Sequence, residues 1–196
     1  LQLIRNHGES VVGPAGYENI TNIAGFNYRL SELHAAVIRE QLKKLDSFNN
    51  IRLELVQQLT DGLNNYEYFI TPSGRALCKS TYYIYPLRYI NERIGIKRED
   101  FIEAVNAEGC QFYQGYVKPL YLQPVYQEKH LFKNGYPFTA VENKECKQEY
   151  SSGICSNAET LYFEQMIINE HIKSPHTEKD IKDILLSVQK VAQRLY

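Results

Sequence analysis

Asn27 and Arg29 stand two residues apart in the stretch Gly25-Phe26-Asn27-Tyr28-Arg29-Leu30-Ser31-Glu32, just ahead of an amphipathic run. An amide offers two N–H donors and a guanidinium offers a planar fork, and both match phosphate or carboxylate oxygens. Ser31 suits a helix N-cap and Glu32 the first turn, so the two donors precede a helix start. Unpaired N–H groups and the helix dipole favour an anion there. Gly25 permits the turn that would aim them. The same residues also suit a plainer role, with Asn27 bonding loop backbone and Arg29 pairing with a surface acid.

Other side chains have chemistry to offer. His7, between Asn6 and Gly8, would either approach a site or bond the last carbonyls of the helix whose last turn Leu1, Ile4 and Arg5 form. Tyr116, Tyr121 and Tyr126 lie in Gly115-Tyr116-Val117-Lys118-Pro119-Leu120-Tyr121, continuing to Tyr126, and a tyrosine combines a ring face with a polar tip suited to a sugar or nucleobase. With 16 tyrosines and no tryptophan, tyrosine is also the packing aromatic of this chain. Lys118 would meet a phosphate or simply be solvated. His34 reads as an interface or core residue, while His130, His171 and His176 are scattered. Cys78, Cys110, Cys146 and Cys155 form no CxxC pair and no cluster with histidine, which predicts no metal site and thiols in a reducing cytoplasm. A net charge of −1 argues against a nucleic-acid or anionic-membrane partner. No apolar run approaches the roughly 20 residues of a membrane span.

The elements that must position these groups follow from periodicity. The chain opens like the last turn of a helix and carries no initiating methionine, so its start reads as a cut. Asn6, His7 and Gly8 stop that turn, and residues 8–25 form a loop punctuated by Gly13, Pro14, Gly16, Asn19, Thr21 and Asn22. From Ser31, apolar residues recur at three- and four-residue steps as far as Leu63. This predicts one helix of about 33 residues, long enough to cross between domains or along a subunit interface. Gly62 and the Asn64-Asn65 pair end it. Beyond lie a strand over Thr81–Arg88, with Pro86 favouring an edge or bulge, and a short helix over Arg98–Glu108 closed by Gly109. A strand over Gln111–Tyr113, an irregular Tyr116–Tyr136, a helix over Asn157–Phe163 and a strand over Gln165–Asn169 follow. Thr177 caps a last helix. The expectation is α+β: a small antiparallel sheet with helices on one face, preceded by the long helix.

The order Arg5-Asn6-His7-Gly8, glycine-rich loop, Gly25-Phe26-Asn27-Tyr28-Arg29-Leu30-Ser31-Glu32-Leu33-His34 and Gln41-Leu42-Lys43-Lys44 resembles the DegT/DnrJ/EryC1/StrS family of pyridoxal-phosphate-dependent sugar aminotransferases. The Tyr82–Arg88 strand, the Glu108–Tyr126 stretch and Ser156–Ile184 agree, so the resemblance covers essentially the whole chain. It implies the C-terminal half of a fold-type-I enzyme. Residues 1–30 would be the end of the large cofactor domain with its active-site loop, 31–65 the interdomain helix, and 66–196 the C-terminal small domain. It further implies a homodimer in which Asn27, and with it Arg29, reaches the cofactor phosphate of the neighbouring subunit. His7, Tyr116 and Tyr121 would line the cleft for a nucleotide-sugar substrate and an amino-acid donor, glutamate or glutamine.

The resemblance also implies an absence. The family's Schiff-base lysine, and the aspartate that holds the cofactor's ring nitrogen, lie before Leu1, so no lysine of this chain is assigned as catalytic and the chain alone is not expected to transaminate. Two alternatives stay open. Some relatives carry histidine in place of that lysine and dehydrate deoxysugars, and a stand-alone dimerisation or binding module would catalyse nothing. The apolar face of the long helix is expected to be exposed in the chain by itself.

Overall fold

The computed structural model describes residues 2–8 and 24–195. The punctuating residues Gly13, Pro14, Gly16, Asn19, Thr21 and Asn22 lie outside the described residues. The chain divides into two compact units, Leu1–Ser47 and Phe48–Tyr196.

In the first unit, α1 (Gln2–Arg5) ends where His7 and Gly8 both take left-handed backbone, with φ of 61° and 74°. Helix α2 (Glu32–Leu42) begins at Ser31, whose side chain accepts the His34 N–H at 3.3 Å. The Ser31 hydroxyl also meets His34 Nδ1 at 2.9 Å, which gives that imidazole a local capping partner. Every residue of α2 is exposed.

The single helix expected over residues 31–63 is two helices, α2 and α3 (Leu45–Leu63), separated by a turn at Lys43 and Lys44. Lys44 N–H bonds the carbonyl of Gln41, a three-residue step that tightens the helix, and Lys43 pairs with Glu40. Gln41-Leu42-Lys43-Lys44 contains no glycine or proline, so the interruption leaves no mark in the periodicity. The boundary between the two units falls within this helical stretch.

The second unit is built on a four-stranded antiparallel sheet with strands β1 (Phe69–Ile70), β2 (Tyr85–Tyr89), β3 (Phe112–Gln114) and β4 (Met166–Asn169), in the order β1-β2-β4-β3. Register opposes Leu87 to Ile167 and Phe112 to Asn169. Tyr85, Leu87, Tyr89, Ile167 and Phe112 thus share one face. That face meets Leu55, Val56, Leu59 and Leu63 of α3, Phe101, Ile102 and Val105 of α5 (Arg98–Ala107, after a single turn α4, Asn91–Ile94), and Ile181, Ile184, Val188 and Val191 of α8 (Glu178–Leu195). Tyr68, Phe69, Tyr89 and Phe101 pack ring on ring, the last pair stacked at 5.0 Å. The Tyr85 hydroxyl, carried into this core, bonds Thr60 Oγ1 at 2.8 Å.

Pro86 belongs to an interior strand rather than an edge. The strand tolerates it because β1 is only two residues long and reaches only Arg88 and Tyr89, leaving the β1 side open at Pro86. Two more short helices, α6 (Pro124–Gln127) and α7 (Ser156–Thr160), complete the order, and α7 runs directly into a five-residue π-turn, Leu161–Gln165, that feeds β4. The last helix starts where Asp180 reaches back to accept both the N–H and the hydroxyl of Thr177, the carboxylate half of a capping box. Further along α8, Lys190 and Arg194 both pair with Glu108 at the end of α5. The loop between β4 and α8 stacks His171 on His176 at 4.6 Å.

No helix among the described residues is long and apolar enough to cross a membrane. The four cysteines are free thiols, with only Cys110 buried, and no group of three metal-binding side chains occurs among the described residues.

Candidate functional site

The sequence-derived candidates fall in both units. In the first, the segment ending α1 and the Gly25–Arg29 segment lie side by side. Phe26 N–H bonds Ile4 O at 2.9 Å, His7 N–H bonds Phe26 O at 3.1 Å and Tyr28 N–H bonds Arg5 O at 3.0 Å, with Asn6 facing Asn27 in an antiparallel bridge. Gly25 is required by this approach, since a Cβ there would lie 2.2 Å from Gly8 N. The backbone of the Arg5–Gly8 motif therefore serves as the template for the loop that carries Asn27 and Arg29.

Arg29 is held by Asn6, whose Oδ1 accepts from Nε at 2.7 Å. Among the described residues its side-chain partner is this amide and not the surface acid of the plainer reading. The bond uses one of the guanidinium's five donors and fixes its plane. Asn27 is exposed, and its side chain makes no hydrogen bond among the described residues. Phe26 and Tyr28 flank it with rings 5.4 Å apart, both exposed. Two residues past Arg29, the Ser31-capped start of α2 presents its first N–H groups. His7 is exposed, and its imidazole bonds no helix-end carbonyl among the described residues.

In the second unit, Tyr116 is exposed and meets Tyr83 edge-on at 6.3 Å. A hydrogen bond to Tyr116, with lesser help from burial, raises the Tyr83 phenol above its ordinary value. Tyr121 is half-buried and donates its hydroxyl to Glu159 of α7. Desolvation and this carboxylate partner push the phenol up to about 12. Glu159 in turn gathers Tyr121, the Ser152 hydroxyl at 2.7 Å and Gly153 N–H at 2.6 Å, which hold its carboxyl below the ordinary glutamate range. Tyr126 packs among Phe138 and Tyr150. Lys118 makes no side-chain bond among the described residues, although its carbonyl accepts from Gln123.

Sequence reasoning missed Asn6, Glu159 and Tyr83. Asn6 was legible only as a helix stop, and Glu159 and Tyr83 carry no local signal, because their partners lie 38 and 33 positions away.

The sequence profile of the DegT/DnrJ/EryC1/StrS aminotransferase family matches residues 1–176. The chain is 27% identical over 137 residues to the erythromycin biosynthesis sensory transduction protein EryC1 of Saccharopolyspora erythraea, covering 70% of this chain and 34% of that protein. It is 33% identical over 98 residues to the L-glutamine:scyllo-inosose aminotransferase of Streptomyces griseus, covering 50% of this chain and 23% of that enzyme. Its fold matches the crystallised aminotransferase from Psychrobacter cryohalolentis with a TM-score of 0.73 at 18% identity, over 99% of this chain and 48% of that one. The chain thus spans less than half the length of these relatives.

Proposed function

Since the chain belongs to the DegT/DnrJ/EryC1/StrS aminotransferase family, we propose that it is the C-terminal portion of a pyridoxal-phosphate-dependent aminotransferase. The enzyme moves an amino group from glutamate or glutamine to a nucleotide-linked keto-sugar, and works as a cytoplasmic homodimer. The observation that carries the reading is the exposed amide of Asn27, unbonded among the described residues and followed by an Asn6-oriented guanidinium and then the Ser31-capped start of α2.

That donor set fits a phosphate: neutral amide N–H groups, a fixed cation and a helix N-terminus, with no carboxylate bonded to Asn27 or Arg29 among the described residues. Asn27 and Arg29 would hold the cofactor phosphate of the neighbouring subunit. When bound, the cofactor supplies the carbonyl and electron-withdrawing ring through which the amino group is carried. This chain's residues do the holding: Asn27 binds, Arg29 neutralises, and Asn6 keeps the guanidinium plane fixed. His7, Tyr116 and Tyr121 contact the substrate. The lysine that bears the cofactor belongs to the part of the enzyme this chain does not match, so activity requires that part.

The test uses the whole polypeptide that carries this segment, purified with pyridoxal phosphate. It is expected to show the cofactor's visible absorbance, to lose it with glutamine or glutamate, and to regain it with a nucleotide-linked keto-sugar. Asn27→Ala should weaken cofactor retention by about tenfold, the worth of one charge-assisted hydrogen bond, with the fold unchanged. A protein that takes up no cofactor, or whose absorbance answers to no amino donor, would overturn the proposal.

A further inference from the structure

Arg98 is 2% exposed, although it opens α5 and carries a charge. A cation is disfavoured at the start of its own helix. Its guanidinium instead faces the end of another helical run, α7 with its π-turn, where unpaired carbonyls favour positive charge. Nη1 donates to Tyr162 O at 2.9 Å and to Met166 O at 3.3 Å, and Nη2 donates to Phe163 O at 2.7 Å. Nη2 also meets Gln114 Oε1 at 3.1 Å, and Glu99 accepts from both Nε and Nη2. One side chain thus satisfies three carbonyls of the α7–β4 junction and ties them to β3.

The same junction supports the loop that carries Tyr116 and Tyr121. Gly115 N–H donates to Met166 O at 2.8 Å, so that carbonyl is shared with Arg98. Gly115 has a φ of 60°, and a Cβ there would lie 2.9 Å from the ring of Tyr162. Tyr121 is anchored on Glu159, three residues before the first carbonyl that Arg98 takes. The two ends of the Gly115–Tyr121 segment are thus tied to α7, to the π-turn and to the first residue of β4, while Tyr116 between them also meets Tyr83.

We propose that Arg98 is a positioning residue. It locks the π-turn at the α7–β4 junction and, through Met166, Tyr162 and Glu159, sets the place of the Gly115–Tyr121 segment. Its functional meaning rests on the reading that Tyr116 and Tyr121 contact substrate. Lysine in its place would reach one or two of the carbonyls but lacks the planar fork.

Amide exchange by mass spectrometry on Arg98→Met and Arg98→Lys tests this without cofactor or substrate. Exchange over residues 115–123 and 156–166 is expected to rise by at least about tenfold in Arg98→Met, with partial recovery in Arg98→Lys. Protection of α3 and α8 should stay as in the unaltered protein. The Glu159 carboxyl, followed by NMR, should titrate higher in Arg98→Met, back towards the ordinary glutamate range. A rise spread evenly over the core would overturn the proposal, as would an unchanged loop in a folded variant. If Arg98→Met does not fold, Arg98→Lys is read by the same criteria. Binding of a nucleotide-linked sugar is measured separately on the unaltered protein and on both variants. A local rise in exchange with no sugar binding even by the unaltered protein would sink the substrate reading and leave the positioning role standing.

Discussion

The surroundings of His171 hold its imidazole below the ordinary histidine range: burial first, then the positive charge that His176, stacked upon it, would carry. Asp180, Glu170 and Lys173 lie within electrostatic reach, and Glu108, Cys110 and Asp183 share the same small cavity. The consequence has a definite sign. His171 titrates below its ordinary value of about 6.5 in the folded chain, so as pH falls through that value the unfolded chain takes up more protons. The stability is present above the unfolded value and is lost progressively below it. Urea midpoints measured from about pH 7 to about pH 5 should therefore fall, and fall less in His171→Gln, whose amide can still meet Gln111. Equal falls in both proteins would refute this. Asn27 shows the opposite kind of residue: among the described residues nothing commits its amide, while the neighbouring Arg29 is held by Asn6.

Apolar side chains at helical spacing run from Leu33 through Leu63, yet the two helices they form are unlike. Leu59 is fully buried against the sheet and α8, whereas Leu33 is 82% exposed. Leu59→Ala should cost about 2–5 kcal/mol of unfolding free energy, and Leu33→Ala should stay within about 0.5 kcal/mol, in matched denaturant titrations of this chain. Similar losses at both positions would mean that α2 is packed. Periodicity identified the helical residues but not which of them are covered, because covering depends on elements distant in sequence. The other differences have local causes. The strand expected from Thr81 begins at Tyr85, since Tyr82 takes a φ of 45° that breaks an extended run. Strand β1 has two residues, too few for alternation to register. Where a segment carries its own punctuation the reading held: Ser31 caps α2, Thr177 opens α8, and Gly109, with a φ of 98°, follows α5. The loop template beside Asn27 was half legible, with Gly25 and the Arg5–Gly8 motif recognised but their pairing carried only by backbone hydrogen bonds.

At the scale of the whole molecule, the described residues of the first unit display an apolar surface. Phe26, Tyr28 and Leu30 are exposed, and so are Leu33, Val37, Ile38 and Leu42 of α2. Patches of this kind mark sites of association. The isolated chain should self-associate with rising concentration in sedimentation experiments and bind a hydrophobic dye, and Val37→Lys combined with Leu42→Lys should reduce both. A clean monomer that takes up no dye would contradict the prediction.

Homology and folding draw different borders on this chain. The family match stops at residue 176, whereas α8 begins at Glu178 and plants Ile181, Ile184, Val188 and Val191 in the common core. Those four side chains form one wall of the room in which Tyr85, Leu87 and Phe101 sit, and Glu108 bolts the far end of the wall in place through Lys190 and Arg194. Anyone trimming the chain to its recognisable part would remove that wall and open the interior to water.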